Sequence, residues 1–186
     1  MTRQVYSYNR PDRFISGTVG EPGERIFYMQ CREGSRLTSV TCEKSQVALL
    51  ADRIDLLLDE IKRQSKTEGA YIPDRNGFSE IDLDPLDVPI SEEFRVGTLA
   101  LGWSDDDHCV LIEAHAVSDE DVPDMGEDVE DAPDVLRIRI TADQARAFAE
   151  RGRRVVSAGR PPCLFCDQPL DPGGHVCPRA NGFHRG

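Results

Sequence analysis

The feature that most constrains this chain is a group of cysteine and histidine residues near its C-terminal end. Cys163 and Cys166 stand three positions apart, and His175 and Cys177 follow at a spacing of two. The first spacing places two thiolates on one tight turn, and the second places a ring nitrogen and a thiolate on the same side of an extended chain. The four side chains are therefore predicted to meet one metal ion in tetrahedral coordination.

Zinc is the metal expected at such a site. Thiolate and imidazole ligands that fill all four positions are typical of a structural zinc site, because a catalytic site keeps one position for water or substrate. Between the two ligand pairs, Pro169, Pro172, Gly173 and Gly174 supply turn conformations that let the pairs approach each other. His184 is a rival for the fourth ligand position, and free thiols in a disordered end of the chain are the alternative to a metal site.

The whole chain is long enough for one good hydrophobic core and a small appendage. Its 186 residues predict a body over residues 1–157 and a zinc-ribbon or knuckle-like tail over residues 158–186. No apolar run approaches the roughly 20 residues that cross a bilayer, and the first residues lack the apolar stretch of a secretory signal. We therefore expect a cytoplasmic protein with no membrane partner, in which Cys31, Cys42 and Cys109 are reduced, buried thiols.

The body is predicted to be an α+β domain built mainly from antiparallel strands. Runs of strand-forming residues are separated by turn signals rich in glycine, proline and aspartate. The predicted strands are residues 13–19, 24–31, 36–42, 94–103, 109–117 and 135–140. Three strands followed by a helix occur twice in this order, so the body is expected to consist of two similar β-rich halves.

Two helices are predicted to pack on the sheet. The first covers residues 43–66, with apolar residues at spacings of three and four and with Asp52, Asp55, Asp59 and Glu60 on a solvated face. The second begins after a capping box at Thr141 and is expected to end at Arg151 and Gly152. Residues 65–91 lack periodicity, and they are expected to form a long surface connection.

The charge of the chain is unevenly distributed. The formal net charge is −12, yet residues 135–186 hold nine arginines against four acidic residues. Residues 118–134 contain no basic residue and little to bury, so they are expected to form a flexible acidic loop, with docking of a basic partner as the alternative. This distribution disfavours nucleic-acid binding by the body and leaves the basic tail, with Phe165 and Phe183 as candidate base-stacking residues, as a nucleic-acid site.

An enzymatic alternative rests on residues 105–115. This segment contains three consecutive aspartates, His108 and Cys109, followed by Glu113 and His115 on one strand face. These side chains could pair on a metal or act as acid and base, but no third metal ligand stands at a recognised spacing. His108 and Cys109 are adjacent and would point to opposite faces of a strand, which argues against a thiol nucleophile with a histidine base.

Two stretches of the chain resemble an actinobacterial family whose domain is of unknown function. One is Phe-Ile-Ser-Gly-Thr-Val-Gly-Glu-Pro-Gly-Glu-Arg-Ile-Phe-Tyr at 14–28, and the other joins Cys-Leu-Phe-Cys at 163–166 with Gly-His-Val-Cys-Pro-Arg-Ala-Asn-Gly at 174–182. The resemblance covers nearly the whole chain. It implies a gene often encoded beside a histidine-phosphatase-like protein and a kinase-like protein, and hence a shared pathway. It brings no catalytic residues, and it adds only the tail ligands already named.

The sequence therefore predicts an interaction or adaptor protein with a structural zinc ion. Its acidic loop and its basic tail would face different protein partners, and charge would steer the encounters more than it sets the affinity. An enzyme that uses residues 105–115 and a nucleic-acid-binding protein that uses the tail are the alternatives.

Overall fold

A seven-stranded, mostly antiparallel sheet and two helices form the body, which confirms the predicted α+β class. The computed structural model describes residues 3–64, 70–159, 163, 165, 166, 170 and 177. The elements are β1 (Val5–Asn9), β2 (Arg13–Val19), β3 (Ile26–Glu33), β4 (Arg36–Cys42), α1 (Lys44–Gln64), β5 (Glu92–Ser104), β6 (Cys109–Ala116), β7 (Val135–Ile140) and α2 (Ala142–Ser157).

The sheet repeats one arrangement twice. Strands β2, β3 and β4 form an antiparallel meander that α1 follows, and β5, β6 and β7 form a second meander that α2 follows. Strands β4 and β5 join the two meanders in parallel, so that the sheet order is β1-β7-β6-β5-β4-β3-β2. The predicted succession of three strands and a helix, repeated once, is therefore present as two halves of one sheet.

Strand β1 was not predicted from the sequence. It pairs in parallel with β7, in a register that sets Val5 opposite Val135. The hydroxyl groups of Tyr8 in β1 and Thr38 in β4 lie 2.7 Å apart, although β7, β6 and β5 separate these strands in the sheet order. The sheet is therefore strongly curled. A strand of five residues with a single fully buried side chain, Tyr8, carries too weak a pattern to be recognised.

The hydrophobic core lies between the two helices and one face of the sheet. Helix α1 contributes a buried apolar stripe at the predicted spacing, and β6 and β7 contribute alternate residues from the sheet. The α1 residues in this stripe are Val47, Leu50, Ala51, Ile54 and Leu58. Among the described residues, neither helix has the length and apolar character needed to cross a membrane.

The prediction that Asp55 lies on a solvated helix face was wrong. Asp55 is only 1% exposed and accepts hydrogen bonds from Arg146 at 2.5 Å and from Arg153 at 2.8 Å, both on α2. The buried Arg146 also donates to Asp59 at 2.6 Å and to the carbonyl oxygen of Pro73 at 3.3 Å. The helical pattern of α1 shows that Asp55 lies off the main stripe, but it does not reveal that α2 packs against that side of the helix.

Helix α2 begins as predicted but continues beyond its predicted end. The Thr141 side chain accepts from the backbone N–H of Gln144, and the Gln144 side chain accepts from the backbone N–H of Thr141, which completes the capping box. The helix does not end at Gly152, because this glycine faces α1. A Cβ atom at Gly152 would lie 3.3 Å from a methyl carbon of Val47, so the glycine permits a close helix contact.

Residues 79–87, which we call the strap, cross from α2 to the other face of the sheet. The strap begins at α2, where the Ser79 backbone N–H donates to Asp143 at 2.9 Å. It ends at β3, where the Gln30 side chain exchanges two hydrogen bonds with the backbone of Asp87, at 2.7 and 3.0 Å. Gln30 alternates along β3 with core residues, so this contact lies on the face opposite the helices. The expected connection over residues 65–91 is thus an anchored segment in its described part.

Residues 118–134, the acidic segment, contact the second half of the sheet. The backbone N–H of Gly126 donates to Glu113 at 3.1 Å, and Arg3 donates to the carbonyl oxygens of Val129 and Pro133, each at 3.1 Å. Arg137 forms an ion pair with Asp128 at 3.2 Å. The segment contains no helix or strand, as expected, and its predicted flexibility stays a prediction.

Candidate metal centre

Three cysteines of the tail lie close together. The sulfur atoms of Cys163, Cys166 and Cys177 all lie within 4.8 Å of one another, and those of Cys163 and Cys177 are 3.8 Å apart. Cys163 and Cys177 are buried, Cys166 is partly exposed, and none of the three is in a disulfide. Among the described residues, this is the only group of three or more cysteine, histidine or acidic side chains arranged to hold a metal ion.

A turn at residues 165 and 166 brings the first two cysteines together. The backbone N–H of Phe165 points back to the sulfur of Cys163 at 3.5 Å. This hydrogen bond favours the thiolate and is the main reason why the pKa of Cys163 lies below its ordinary value. A thiolate, rather than a thiol, is the form of cysteine that binds a metal.

The spacing of the sulfur atoms fits a tetrahedral zinc ion. With zinc–sulfur bonds of about 2.3 Å, two thiolates at adjacent corners of a tetrahedron lie about 3.8 Å apart. This edge equals the distance between Cys163 and Cys177 and is far longer than the roughly 2.05 Å of a disulfide bond. The donor set and its spacing therefore fit a thiolate-rich metal site.

The fourth ligand remains a prediction. The structure brings together three of the four predicted residues, Cys163, Cys166 and Cys177. His175 and its rival His184 lie outside the described residues, as does Phe183. The assignment of each residue as a ligand, and the division into body and tail, stay predictions.

The other three cysteines are isolated from this cluster and buried. Burial is the main cause that raises the pKa of Cys31, Cys42 and Cys109, and it raises that of Cys42 to about 12. All three are free and lie on strands of the sheet. They are buried thiols, as predicted, and their raised pKa values are the opposite of what metal binding requires.

Two aspartates of the candidate catalytic segment 105–115 are engaged in separate local pairs. Asp105 accepts from the indole N–H of Trp103 at 3.1 Å, and Asp107 pairs with Arg139 at 2.7 Å. His108 occupies a left-handed turn position with φ 49°. Among the described residues these side chains form no metal group.

Glu113 and His115 do come together, but beneath the acidic segment. They are 1% and 0% exposed, and the His115 Nε2 atom lies 3.2 Å from a carboxylate oxygen of Glu113. Glu113 also accepts from Arg137 at 2.5 Å. Burial holds the pKa of His115 below its ordinary value, despite the opposing effect of Glu113. Glu113 anchors the acidic segment through its hydrogen bond from Gly126. Both side chains of the pair are buried away from solvent.

Sequence reasoning also missed a cavity between β2, the strap and α2. Its lining comes from residues 12–15, 79–84 and 143–151. None of these stretches forms a motif alone, because the cavity exists only when the strap is anchored across the start of β2. The sequence signal that could have indicated it is the concentration of acidic residues at 80, 82 and 84.

The chain was compared with known proteins. No curated protein and no solved structure matches it. A match to a protein family extends from residue 6 to residue 177 of the 186 residues, so it includes both the whole sheet except Val5 and the three clustered cysteines. The chain therefore belongs to the family described as "Protein of unknown function (DUF3090)".

Proposed function

We propose that the tail binds one structural zinc ion and that the protein acts as an interaction module. The observation that carries the proposal is the 3.8 Å separation of the Cys163 and Cys177 sulfur atoms within a cluster of three thiols. Cys163, Cys166 and Cys177 supply three thiolates, and His175 supplies the fourth ligand. A zinc ion there cross-links two parts of the tail that lie 14 residues apart in the sequence.

The proposed role is structural because the ligands leave no position for a substrate. Four protein ligands close the coordination sphere, and water-activating zinc chemistry needs an open position. In small modules a structural zinc contributes on the order of 10 to 16 kcal/mol of apparent binding free energy, which serves as folding free energy. The zinc would hold the tail in one conformation for contact with another molecule.

Elemental analysis of the untagged full-length protein tests the metal. We expect one zinc per chain in the wild type and none in the double variant Cys163→Ser, Cys166→Ser. Cys109→Ser is the matched control, since it removes a buried thiol outside the cluster. Zinc retained by the double variant, or lost by the Cys109→Ser control, would contradict the assignment.

The fourth ligand is tested by comparing His175→Ala with His184→Ala. We expect only His175→Ala to weaken zinc binding, measured by competition with a chromogenic zinc chelator. The reverse result would assign the fourth position to His184. Zinc binding as tight as that of the wild type in both variants would show that neither histidine is a ligand.

The interaction role is proposed for protein partners. The acidic segment presents exposed carboxylates that would steer a basic partner towards the sheet, while the tail contributes the oppositely charged Arg160, Arg179 and Arg185. Binding to nucleic acid through the tail is the competing role. A salt titration against single-stranded DNA and RNA distinguishes the two, because phosphate binding weakens steeply as salt is added. Tight, salt-sensitive binding there would replace the protein-partner proposal.

A further inference from the structure

A cavity of about 660 Å³ lies between the start of β2, the first part of α2 and the strap. Ligand sites in proteins commonly have volumes of about 300 to 1,000 Å³. The described lining residues all belong to the body, and none of them is a cysteine of the tail cluster.

Two stacked phenyl rings form part of the apolar lining of the cavity. The rings of Phe14 on β2 and Phe148 on α2 are nearly parallel, with their centroids 4.3 Å apart. Phe148 is buried and Phe14 is half-buried, so Phe14 is the ring whose accessible surface a ligand can contact. Phe14 therefore offers ring surface to a ligand in the cavity, next to the carboxylates of the lining.

The two arginines of the lining are already engaged by the protein. Arg13 pairs with Asp82 through two hydrogen bonds, at 2.5 and 2.8 Å, and with Asp87 at 3.0 Å. Arg151 donates to the carbonyl oxygens of Ser16 and Asp84, each at 2.7 Å. These contacts fix the strap across the edge of β2, and Arg151 also attracts the nearby carboxylate of Asp84.

Four further carboxylates line the cavity without an ion pair at contact distance among the described residues. Asp12 accepts from the backbone N–H of Gly34, and Asp143 accepts from Ser79. Within the described part of the chain, the exposed carboxylates of Glu80 and Asp84 form no hydrogen bond or ion pair. The cavity therefore carries an excess of negative charge that the protein itself does not compensate.

The rim of the cavity is partly apolar. Leu83 lies on the strap between Glu80 and Asp84, and its side chain is 61% exposed. A free polyamine would match the carboxylates but would leave Leu83 unused. A peptide with alternating basic and apolar side chains matches both features, because neighbouring side chains can engage the carboxylates and the leucine separately.

We propose that this cavity binds a basic peptide segment of a partner protein, with an arginine or lysine side chain against Phe14 and the carboxylates of Glu80 and Asp84. An apolar side chain of the same segment packs against Leu83. The fit rests on charge complementarity and on the apolar rim, and it requires no rearrangement of the strap.

A fluorescein-labelled peptide of nine residues, alternating arginine and leucine, is the probe, and fluorescence anisotropy measures its binding to the full chain. The cavity variant is Glu80→Gln with Asp84→Asn, which removes two charges from exposed side chains that hold no part of the fold. The matched control is Asp52→Asn with Glu24→Gln, which makes the same change of net charge at exposed positions outside both the cavity lining and the acidic segment. We expect the cavity variant to raise the Kd roughly tenfold, since two exposed ion pairs are lost, and the control to change it by less than about twofold.

Two further arms test the peptide as the occupant. Leu83→Ser should weaken peptide binding while it leaves the net charge unchanged, and spermidine should compete only weakly. An equal loss of affinity in the cavity variant and in the control would show binding by net charge alone and would overturn the proposal. Absence of peptide binding, or spermidine competition as effective as that of unlabelled peptide, would also overturn it. Zinc content is measured in each sample, so failure here is distinguishable from failure of the zinc assignment.

Discussion

The body of this protein buries apolar side chains between two helices and a sheet, whereas the described part of the tail buries sulfur atoms. Each helix of the body contributes a row of apolar residues to a shared core. Hydrogen bonds and ion pairs at the margin of this core join α2 to α1 and to β2. The described tail has three clustered thiols and one exposed phenyl ring, Phe165. The difference teaches that the described body has an apolar core of its own, while the described tail has three thiols that could hold a metal ion.

The largest expected effect follows from removal of the metal. We expect a strong zinc chelator to increase backbone hydrogen exchange throughout the tail and to leave exchange in the sheet unchanged, because a structural zinc supplies on the order of 10 kcal/mol or more to its own module. Hydrogen exchange measured by mass spectrometry, with and without chelator, checks this. Loss of protection in β6 and β7 would show that body and tail are one cooperative unit.

The next largest effect is expected at the interface between the helices. Asp55→Ala removes the buried carboxylate that accepts from Arg146 and leaves this arginine with the half-exposed Asp59, and breaking a buried ion pair in this way costs about 3 to 5 kcal/mol. Urea unfolding measures the loss. Asp52→Ala on the exposed side of α1 is the control and should change stability by less than about 0.5 kcal/mol. Zinc content should stay the same in both variants. Zinc loss in Asp55→Ala would show that metal binding by the tail depends on the stability of the body.

A smaller effect is expected at the start of α2. Thr141→Ala removes the side-chain oxygen that accepts from the Gln144 backbone N–H, and loss of such a cap costs about 1 kcal/mol. Thr141→Ser keeps the hydroxyl group and should restore most of the stability, as measured in the same urea titration. Equal stability of the alanine and serine variants would show that the hydroxyl group of the capping box contributes nothing to the free energy of unfolding.

The smallest effect is expected from the single proton of His115. Burial lowers the pKa of this histidine in the folded protein, where Glu113, Arg137 and Arg3 are its charged neighbours. Above the unfolded pKa of about 6.5 the ring is neutral in both states, and its contribution to stability is complete. As the pH falls below that value the unfolded chain binds a proton before the folded chain does, so the unfolding free energy falls.

His115→Gln should therefore flatten the dependence of unfolding free energy on pH just below 6.5. Denaturant titrations at several pH values measure this slope, with His108→Gln as the control at an exposed turn. Asp59 and Asp82 have lowered pKa values, so their contribution to stability is complete at neutral pH and is lost only at more acidic pH, below the ordinary pKa of aspartate. A slope that is unchanged in His115→Gln would assign the acid sensitivity to other groups.

Local patterns in the sequence were sufficient for most of the sheet and both helices. The turn signals placed β2, β3 and β4, and the capping box placed the first residue of α2. The buried state of Asp55 was not predictable, because it depends on the position of α2 relative to α1. Gly152 was interpreted as a helix end for the same reason, since its contact with Val47 is a tertiary feature.

The candidate sites also differ in whether local sequence or tertiary structure determines them. Two cysteines three residues apart determine a local turn, so the sequence could place Cys163 and Cys166 together and bring Cys177 to them by its spacing. The cavity beside Phe14 draws on three distant parts of the chain, and no periodicity connects them. The pairing of Glu113 with His115 follows from their positions on one strand face, but their burial depends on the acidic segment.

The pairing of β1 with β7 has a consequence for the order in which the protein is made. Val5 leaves the ribosome 130 residues before its partner Val135, which corresponds to a delay on the order of 10 s at ordinary rates of synthesis. During this interval β2, β3, β4 and α1 can associate through contacts close in sequence, whereas β1 has no partner strand to join. Strand β1 is therefore synthesised well before β7, and it can take its place in the sheet only after β7 has been made.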